Sequence, residues 1–234
     1  MRSVGSFVCK GKTGAIIVRE EGEYRRLYFG STLQGGIRLD DPTACTLPIT
    51  EGFHAIRAFR PEPPQQVLLI GLGAGEVVRS FLKAFPQSQI QAVELDPAVL
   101  DVARRHFALP ATRRLRVAIG DGYAFLMRSR ERYDLIILDA CGPDGIPSQF
   151  CTREFIHLAA TRLTPRGMLA ANLFDLGSDG ATPSEFAREA ARRFPERHAL
   201  RLTSPSYLNR LLFCGNLADQ QPDWRRLPPG VAAE

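Results

Sequence analysis

The stretch "VLLIGLGAGE", residues 67–76, decides the fold of this chain. Its first four residues are apolar, which is typical of a strand that is buried on both faces of a parallel sheet. Glycines at positions 71, 73 and 75 allow the backbone to turn tightly and to approach a ligand. The next residues, "EVVRSFLKAF", place their apolar side chains on one helical face. We therefore predict a strand, a glycine-rich loop and a helix with free N–H groups at its start.

Strands and helices alternate through the rest of the chain. Apolar runs in "IQAVELD", "LRVAIGD", "YDLIILDA" and "GMLAANLF" predict four more strands, and "ALRLT" and "RLLFCGN" supply the last two. The segments between them have helical periodicity, and Asp96, Thr152 and Thr182 are placed to act as N-caps. This alternation predicts an α/β fold with a mostly parallel sheet covered by helices on both faces. The tail is expected to be loose beyond Trp224.

Residues 1–60 have a different pattern. They contain the short β-like runs "GAIIVRE", "YRRLYFG" and "GGIRLD", separated by glycines and charges. The proline-rich stretch "RPEPPQQ", residues 60–66, follows them as a joint. We therefore predict a small β-rich N-terminal unit over residues 1–60 and a larger Rossmann-like domain over residues 61–234.

The composition indicates a globular protein that does not cross a membrane. Of the 234 residues, 44% are hydrophobic and 24% are charged, and no apolar run has the length needed to span a bilayer. The start lacks the apolar core of a signal peptide, so we expect a cytoplasmic location. Five scattered cysteines and four isolated histidines predict neither a disulfide framework nor a metal site. The net charge of +5 is spread as arginine pairs, which disfavours nucleic-acid binding.

Acidic residues stand at the ends of the predicted strands, where ligands bind in sheets of this kind. Glu94 ends the second strand and could accept hydrogen bonds from both hydroxyls of a ribose. Asp121 follows the third strand and could accept from the amine of adenine. Each acid alone is equally well explained as a cap or a surface charge, but together with the glycine loop they predict a nucleoside site. Glu76 replaces the third small residue of a dinucleotide fingerprint, which disfavours a pyrophosphate and hence a nicotinamide cofactor.

Asp139 follows the strongly apolar fourth strand and begins the stretch "DACGPDGIPSQF". A carboxylate that emerges from a sheet into a cleft can orient or deprotonate an attacking nucleophile. The alternative interpretation is an acid that only caps or holds the following loop.

These motifs give the chain a resemblance to the spermidine synthase (polyamine aminopropyltransferase) family, within the class I S-adenosylmethionine-dependent methyltransferase superfamily. The stretches that carry it are "VLLIGLGAGE", "AVELDPAVLDVARRHF", "GDGYAFL", "YDLIILDA" and "TREF", and "GSTLQGGIRLDDPTACTLPITEG" is similar to the family's N-terminal β unit. The resemblance implies a Rossmann-like class I methyltransferase fold, with a mostly parallel seven-stranded sheet and a small β-rich N-terminal unit. It also implies S-adenosylmethionine or its decarboxylated form as co-substrate, no metal, and a homodimer.

The resemblance further assigns site residues. It implies that Asp139 is the catalytic aspartate. The residues implied to bind the cofactor are Gln34, Gly71, Gly73, Gly75, Glu94, Leu95, Asp121, Gly122 and Asp139. The substrate loop would contain Ala140, Cys141, Gly142 and Asp144.

The sequence departs from the family at two acids. The family's substrate loop usually reads D-S-S-D-P, and here "DACGP" places Gly142 at the second acid. The family's glycine loop usually reads G-G-G-D-G-G, and here Ala74 replaces the acid that meets the amine of decarboxylated S-adenosylmethionine. A buried ammonium needs paired carboxylates, so ordinary putrescine aminopropylation is disfavoured. Asp144, Glu76 or the pair Asp40–Asp41 could replace the missing acids.

Two kinds of function follow. The first is a transferase that moves an aminopropyl or a methyl group to an amine-type small molecule such as a polyamine; the methyl version would be a small-molecule methyltransferase. Ala74 favours the methyl version, because an acid at this position would repel the carboxylate of intact S-adenosylmethionine. The second kind is a non-catalytic module that binds a nucleoside.

Overall fold

The computed structural model describes residues 6–12, 14–140, 145–174, 182–204, 209–215 and 221–234, without the side chains of 174, 182 and 183. The described chain contains a four-stranded antiparallel sheet followed by an eight-stranded, mostly parallel sheet with helices on both faces. The predicted α/β fold with an N-terminal β unit is thereby confirmed.

The N-terminal sheet buries one face against the larger sheet's helices. Ile16, Val18, Leu27 and Ile37 alternate along its strands and share a core cluster with residues that include Val99. The first strand was not predicted from the sequence, because it lies at the sheet edge and buries too little to show an alternating pattern. The strands are β1 (Ser6–Gly11), β2 (Gly14–Glu21), β3 (Tyr24–Phe29) and β4 (Thr32–Arg38), paired in that order.

The large sheet contains the remaining strands. They are β5 (Gln66–Ile70), β6 (Gln89–Glu94), β7 (Leu115–Ile119), β8 (Tyr133–Leu138), β9 (Leu163–Phe174), β10 (Glu196–Leu202), β11 (Asn209–Gly215) and β12 (Val231–Ala233). Their order across the sheet is β12-β10-β11-β9-β8-β5-β6-β7. Strands β7, β6, β5, β8 and β9 pair in parallel, and β11 is antiparallel to both of its neighbours. The chain therefore leaves β5 in one direction and returns at β8 on its other side, which creates a crevice between them.

The helices cover both faces of this sheet. They are α1 (Pro48–Phe53), α2 (Ile56–Phe59), α3 (Glu76–Ala84), α4 (Pro97–His106), α5 (Gly122–Arg128), α6 (Arg153–Arg162) and α7 (Thr182–Arg193). Helices α1 to α4 share one buried cluster with the sheet, and α5 to α7 share a second on the opposite face. Two predicted N-caps are confirmed, since Asp96 accepts from the backbone of Ala98 at 2.9 Å and Thr152 from that of Phe155 at 3.2 Å. The side chain of Thr182 lies outside the described residues.

The described sheet has eight strands rather than the predicted seven. The extra strand β12 pairs antiparallel with β10, so the prediction of a loose tail beyond Trp224 was wrong. The Trp224 indole packs edge-on against Phe59, and Val231 is buried. Apolar surface and an open sheet edge together order this tail. Phe59 and helices α1 and α2 belong to the core of the large sheet. The predicted domain boundary at residue 60 stays a prediction.

A buried acid on α3 connects the two sheets. The carboxylate of Glu76 accepts hydrogen bonds from the backbone of Gly36, from the backbone and hydroxyl of Thr46, and from the backbone of Leu47, at 2.5 to 3.0 Å. Glu76 is 5% exposed. Gly36 lies in β4, and Thr46 and Leu47 end the segment that connects β4 to α1. Glu76 therefore fixes the end of the N-terminal sheet and this connecting segment against the start of α3. The sequence did not predict this role.

One helical turn later, a buried base extends the same attachment. The Arg79 guanidinium donates to the carbonyl oxygens of Gly36, Pro42, Ala74 and Phe107 at 2.5 to 2.7 Å. Burial lowers the pKa of Arg79 to about 10, which leaves the guanidinium charged at neutral pH. Glu76 and Arg79 together satisfy both donors and acceptors of the connecting segment.

No helix in the described part of the chain is long and apolar enough to cross a bilayer.

We expect Glu76→Ala to lower the free energy of unfolding by about 3 kcal/mol, because removing a charged acceptor leaves several buried donors unsatisfied. Chemical denaturation at pH 7 measures this change. Glu62→Ala is the matched control, since the Glu62 carboxylate lies 3.9 Å from Arg166 at the surface and its loss should cost less than about 0.5 kcal/mol. Equal small losses in both variants would contradict the role given to Glu76.

Candidate active site

A cavity of about 430 Å³ lies at the carboxyl ends of the parallel strands. The end of β3, the start of β4 and the start of α1 cover it, and the loops after β5, β6, β7 and β8 form its floor. The crevice expected between β5 and β8 is therefore closed over by the N-terminal unit. Every described residue that the sequence assigned to the cofactor lines this cavity except Gly75, which lies at the start of α3.

The strand order divides the cavity into two halves. Glu94 and Asp121 lie on the β6 and β7 side, which we call the acidic half. Asn172 on β9 and Asn209 on β11 lie on the opposite side, which we call the amide half. Asp139 follows β8 and stands between the two halves.

In the acidic half, Glu94 is almost completely buried. Its carboxylate accepts from the backbone of Leu72 at 3.0 Å and of Asp96 at 2.9 Å, and a third backbone N–H, of Gly73, also favours the charged form. Burial nevertheless raises the pKa of Glu94. A carboxylate has about four acceptor positions. With three backbone N–H groups already bound, about one acceptor position of Glu94 is left. The carboxylate therefore suits one ribose hydroxyl better than the two expected from the sequence.

Lys12, which was not predicted from the sequence, contacts the two residues that follow Glu94. The Lys12 ammonium, on the turn between β1 and β2, donates to the carbonyl of Leu95 at 2.7 Å. The Lys12 backbone donates to Asp96 at 2.5 Å. Both Lys12 and the exposed Leu95 line the cavity, so the first hairpin contributes to its acidic half.

Asp121 is both a helix cap and a cavity residue. One carboxylate oxygen accepts from the backbone of Ala124 at 2.8 Å, and the other accepts from the Gln149 side-chain amide at 2.7 Å. The cap interpretation is confirmed, and the acceptor role toward adenine stays a prediction. The Gly122 that follows has a packing reason of its own, because a Cβ there would lie 2.4 Å from Ile70.

Two glycines of the loop after β5 meet different surroundings. Gly71 has a φ of +94°, and a Cβ there would lie 2.3 Å from the carbonyl oxygen of Asp139. Gly73 has a φ of +52°, and its nearest neighbour would be the Gln34 carbonyl oxygen at 3.7 Å. Gly71 therefore permits the close approach of the loops after β5 and β8, and Gly73 permits the turn beneath Gln34.

Asp139 is held by a chain of side-chain amides. Its Oδ1 accepts from the Nδ2 of Asn172 at 2.9 Å, and the Oδ1 of Asn172 accepts from the Nδ2 of Asn209 at 2.8 Å. Burial raises the pKa of Asp139 to about 7, and the nearby charge of Glu76 adds to this effect, whereas the bond from Asn172 opposes it. Neither asparagine was predicted from the sequence as a site residue. A polar residue inside the apolar strand "AANLF" was a signal, since a buried amide needs a partner.

The substrate loop is only partly described. Ala140 lines the cavity next to Asp139, whereas Cys141, Gly142 and Asp144 lie outside the described residues. Two of the proposed replacements for the family's acids are not at the site, since Asp40 pairs with Arg38 and Asp41 binds Thr43.

Asp144, a third proposed replacement, lies outside the described residues. Glu76, the fourth, lines the cavity, but its carboxylate already accepts hydrogen bonds from Gly36, Thr46 and Leu47. In the part of the chain that the structure describes, no three histidine, cysteine, aspartate or glutamate side chains are grouped to hold a metal ion.

The strand order, with antiparallel β11 between β9 and β10 and a cleft at the carboxyl ends, defines a class I methyltransferase-like fold. The profile of the spermine/spermidine synthase domain matches residues 50–220, which is more than half of the chain. The chain therefore belongs to the spermine/spermidine synthase family.

Relatives of both transferase types are similar to this chain. A polyamine aminopropyltransferase of Vibrio vulnificus is 36% identical over 119 residues, which cover 50% of this chain and 40% of that protein. The chain thus matches less than half the length of this curated relative. Among solved structures, a probable spermidine synthase from Corynebacterium glutamicum has a TM-score of 0.84 at 20% identity, covering 100% of this chain and 91% of that one. Human methyltransferase-like protein 13 in complex with SAH has a TM-score of 0.66 at 25% identity, covering 77% and 87%.

We expect Gly71→Ala to lower the free energy of unfolding by about 3 kcal/mol or more, because the added methyl group collides with the backbone of Asp139. Gly73→Ala is the matched control and should cost about 1–2 kcal/mol for its left-handed backbone alone. Thermal denaturation of both variants measures the difference. Equal losses would mean that the loops after β5 and β8 do not approach as described.

We also expect Asp139→Asn to change how stability depends on pH. The carboxyl ionises near its ordinary pKa of 3.8 in the unfolded chain but near 7 in the folded one, so the wild type loses stability as the pH rises between these values. The variant lacks this loss and should be more stable at pH 8 by about 1–2 kcal/mol, since water in the open cavity screens part of the effect. The difference should vanish near pH 4.

Denaturation at a series of pH values measures this difference. Asp101→Asn, which removes an exposed partner of Arg105, is the control and should show no comparable dependence on pH. A constant difference between Asp139→Asn and wild type at all pH values would contradict the raised pKa of Asp139.

Proposed function

We propose that this protein transfers an alkyl group, methyl or aminopropyl, from S-adenosylmethionine or its decarboxylated form to the nitrogen of an amine-type small molecule, with Asp139 as the catalytic residue. The observation that supports this most strongly is the position of Asp139. It stands between an acidic half that suits a nucleoside and an amide half that is open to an acceptor. Homodimerisation stays a prediction from the resemblance, and a cytoplasmic location stays a prediction from the sequence.

The acidic half fits the adenosyl part of the co-substrate. Glu94 keeps acceptor capacity for a ribose hydroxyl, and Asp121 could accept from the adenine amine in place of the Gln149 amide. Gln34, Leu95 and the glycine loop would enclose the nucleoside. When bound, the co-substrate supplies a sulfonium whose neighbouring carbon is open to attack by a nitrogen held close to it.

Asp139 supplies the proton chemistry. The bond from Asn172 fixes its Oδ1, and no described residue donates to its Oδ2. That oxygen can therefore orient the acceptor nitrogen and take up its proton. A pKa of about 7 suits a general base at neutral pH, because the carboxylate is then both available and basic enough to accept a proton.

The choice between methyl and aminopropyl transfer depends on the loop after β5. Ala74 is buried where the family carries an acid, so no carboxylate at that position can bind the amine of the decarboxylated co-substrate. The same absence favours a co-substrate that still has its carboxylate. This supports methyl transfer as the first candidate and aminopropyl transfer as the second.

We expect the chain to be stabilised by S-adenosylmethionine and S-adenosylhomocysteine more than by decarboxylated S-adenosylmethionine and methylthioadenosine. A ligand at about a hundred times its Kd adds roughly 2.7 kcal/mol, which a thermal shift detects. Glu94→Gln should weaken binding about tenfold, because it removes a charged acceptor. Glu154→Gln, exposed on α6, should not. No shift with any of the four ligands would refute the nucleoside site.

Asp139→Asn should retain the nucleoside-induced thermal shift and lose transfer activity by about 100-fold or more, the usual contribution of a general base. The kcat/KM of the wild type should rise with pH through about 7 as the carboxyl ionises, and that of the variant should not. Steady-state rates with an amine acceptor between pH 5.5 and 9 measure both. Nucleoside binding without transfer to any amine would favour the non-catalytic module instead.

A further inference from the structure

The described residues that form the walls of the amide half are uncharged. On the sheet side it is formed by Asn172 and Asn209. Helix α1 packs against β10 and β11, and its Ile49 and Thr50 line the cavity from the opposite side. Both residues are buried, at 6% and 3% exposure. An acceptor bound here would therefore lie between amides and apolar groups.

The carboxylates that line the cavity lie elsewhere or are already engaged. Glu94, Asp96 and Asp121 belong to the β6 and β7 side, and each accepts hydrogen bonds from the protein. Glu76 accepts four from the connecting segment. Among the described residues, Asp139 is the carboxylate that adjoins the amide half and keeps an oxygen available.

A second ammonium in this half would have no described carboxylate to pair with. A diamine such as putrescine carries two charges, and among the described residues Asp139 could compensate only one of them. The other would lose its water among Ile49, Thr50 and the amides, and an unpaired buried charge strongly opposes binding. An alkyl tail in the same place would instead bury apolar surface and favour binding.

We propose that the acceptor carries a single amine nitrogen on an uncharged, mostly apolar body, with the nitrogen at Asp139 and the body in the amide half. This inference rests on the proposed function, because it concerns the acceptor of the same reaction. The lone pair of the neutral amine forms the new N–C bond while the C–S bond of the co-substrate breaks and leaves a neutral thioether. The proton released from the nitrogen passes to Oδ2 of Asp139.

The test compares putrescine with n-pentylamine, which has the same chain length but ends in a methyl group instead of the second ammonium. Transfer rates are measured with whichever co-substrate stabilises the protein. We expect kcat/KM to be at least about tenfold higher for n-pentylamine, a difference typical of one charge left unpaired on binding. Equal or better use of putrescine would overturn the inference, and so would transfer to neither amine while the nucleoside still binds.

A designed acid in the amide half gives an independent test. Asn209→Asp should raise the kcat/KM for putrescine relative to n-pentylamine at least about tenfold, because it supplies a partner for the second ammonium. Asn209→Leu, of similar size but uncharged, is the control and should not improve putrescine. Thermal denaturation would check that both variants fold. The comparison of putrescine with n-pentylamine in the wild type does not depend on either variant. An unchanged ratio in a folded Asn209→Asp variant would count against the inference.

Failure of this inference can be distinguished from failure of the proposed function. If none of the adenosyl ligands stabilises the protein, the nucleoside site is absent and both proposals fall. If they stabilise it and putrescine is the better acceptor, the proposed transfer stands and the proposal of an acceptor with a single amine is wrong.

Discussion

The buried pair Glu76 and Arg79 is the constraint on which the site depends. A carboxylate and a guanidinium in the interior are unfavourable unless their hydrogen-bonding positions are filled. Here they are filled by the backbone of the segment that connects the two sheets and by neighbouring loops. The chain must therefore place the N-terminal unit over α3 to satisfy both charges. This arrangement brings Gln34 and α1 over the cleft and turns an open sheet edge into an enclosed cavity.

Much of the fold could be predicted from the sequence, because it is encoded locally. Apolar runs of strand length, helical periodicity and caps such as Asp96 depend on near neighbours in the chain. The parts that were missed depend on distant ones. β12 forms because the edge of β10 is available to it, and Glu76 acts through residues about 30 to 40 positions earlier. Nothing near Glu76 in the sequence distinguishes an acid that binds distant backbone N–H groups from an acid that faces a ligand.

For the candidate site, the sequence also predicts which residues lie at the strand ends but not which groups they contact. Acids at strand ends are visible in the sequence, since topology alone brings them to one edge. Their hydrogen-bonding capacity is not visible, because it depends on which backbone groups turn toward them. Asn172 and Asn209 lie on strands from the far side of the sheet, and their bond to each other and to Asp139 exists only after the whole sheet has formed. The chain is similar to aminopropyltransferases and to methyltransferases, and one fold can carry different chemistries at the same sheet edge.

The hydrogen bond between Asp121 and Gln149 has a consequence for recognition. The amide of Gln149 donates to the Asp121 oxygen that would accept from a base amine if a nucleoside binds as proposed. A ligand amine would therefore replace a bond of equal type and gain little affinity from it. A base that presents an oxygen at the same edge would displace the Gln149 amide from Asp121. Its oxygen would then face the carboxylate, and neither group can donate a hydrogen bond to the other. At the proposed nucleoside site this contact would select between bases, and most of the binding strength would come from the rest of the cavity.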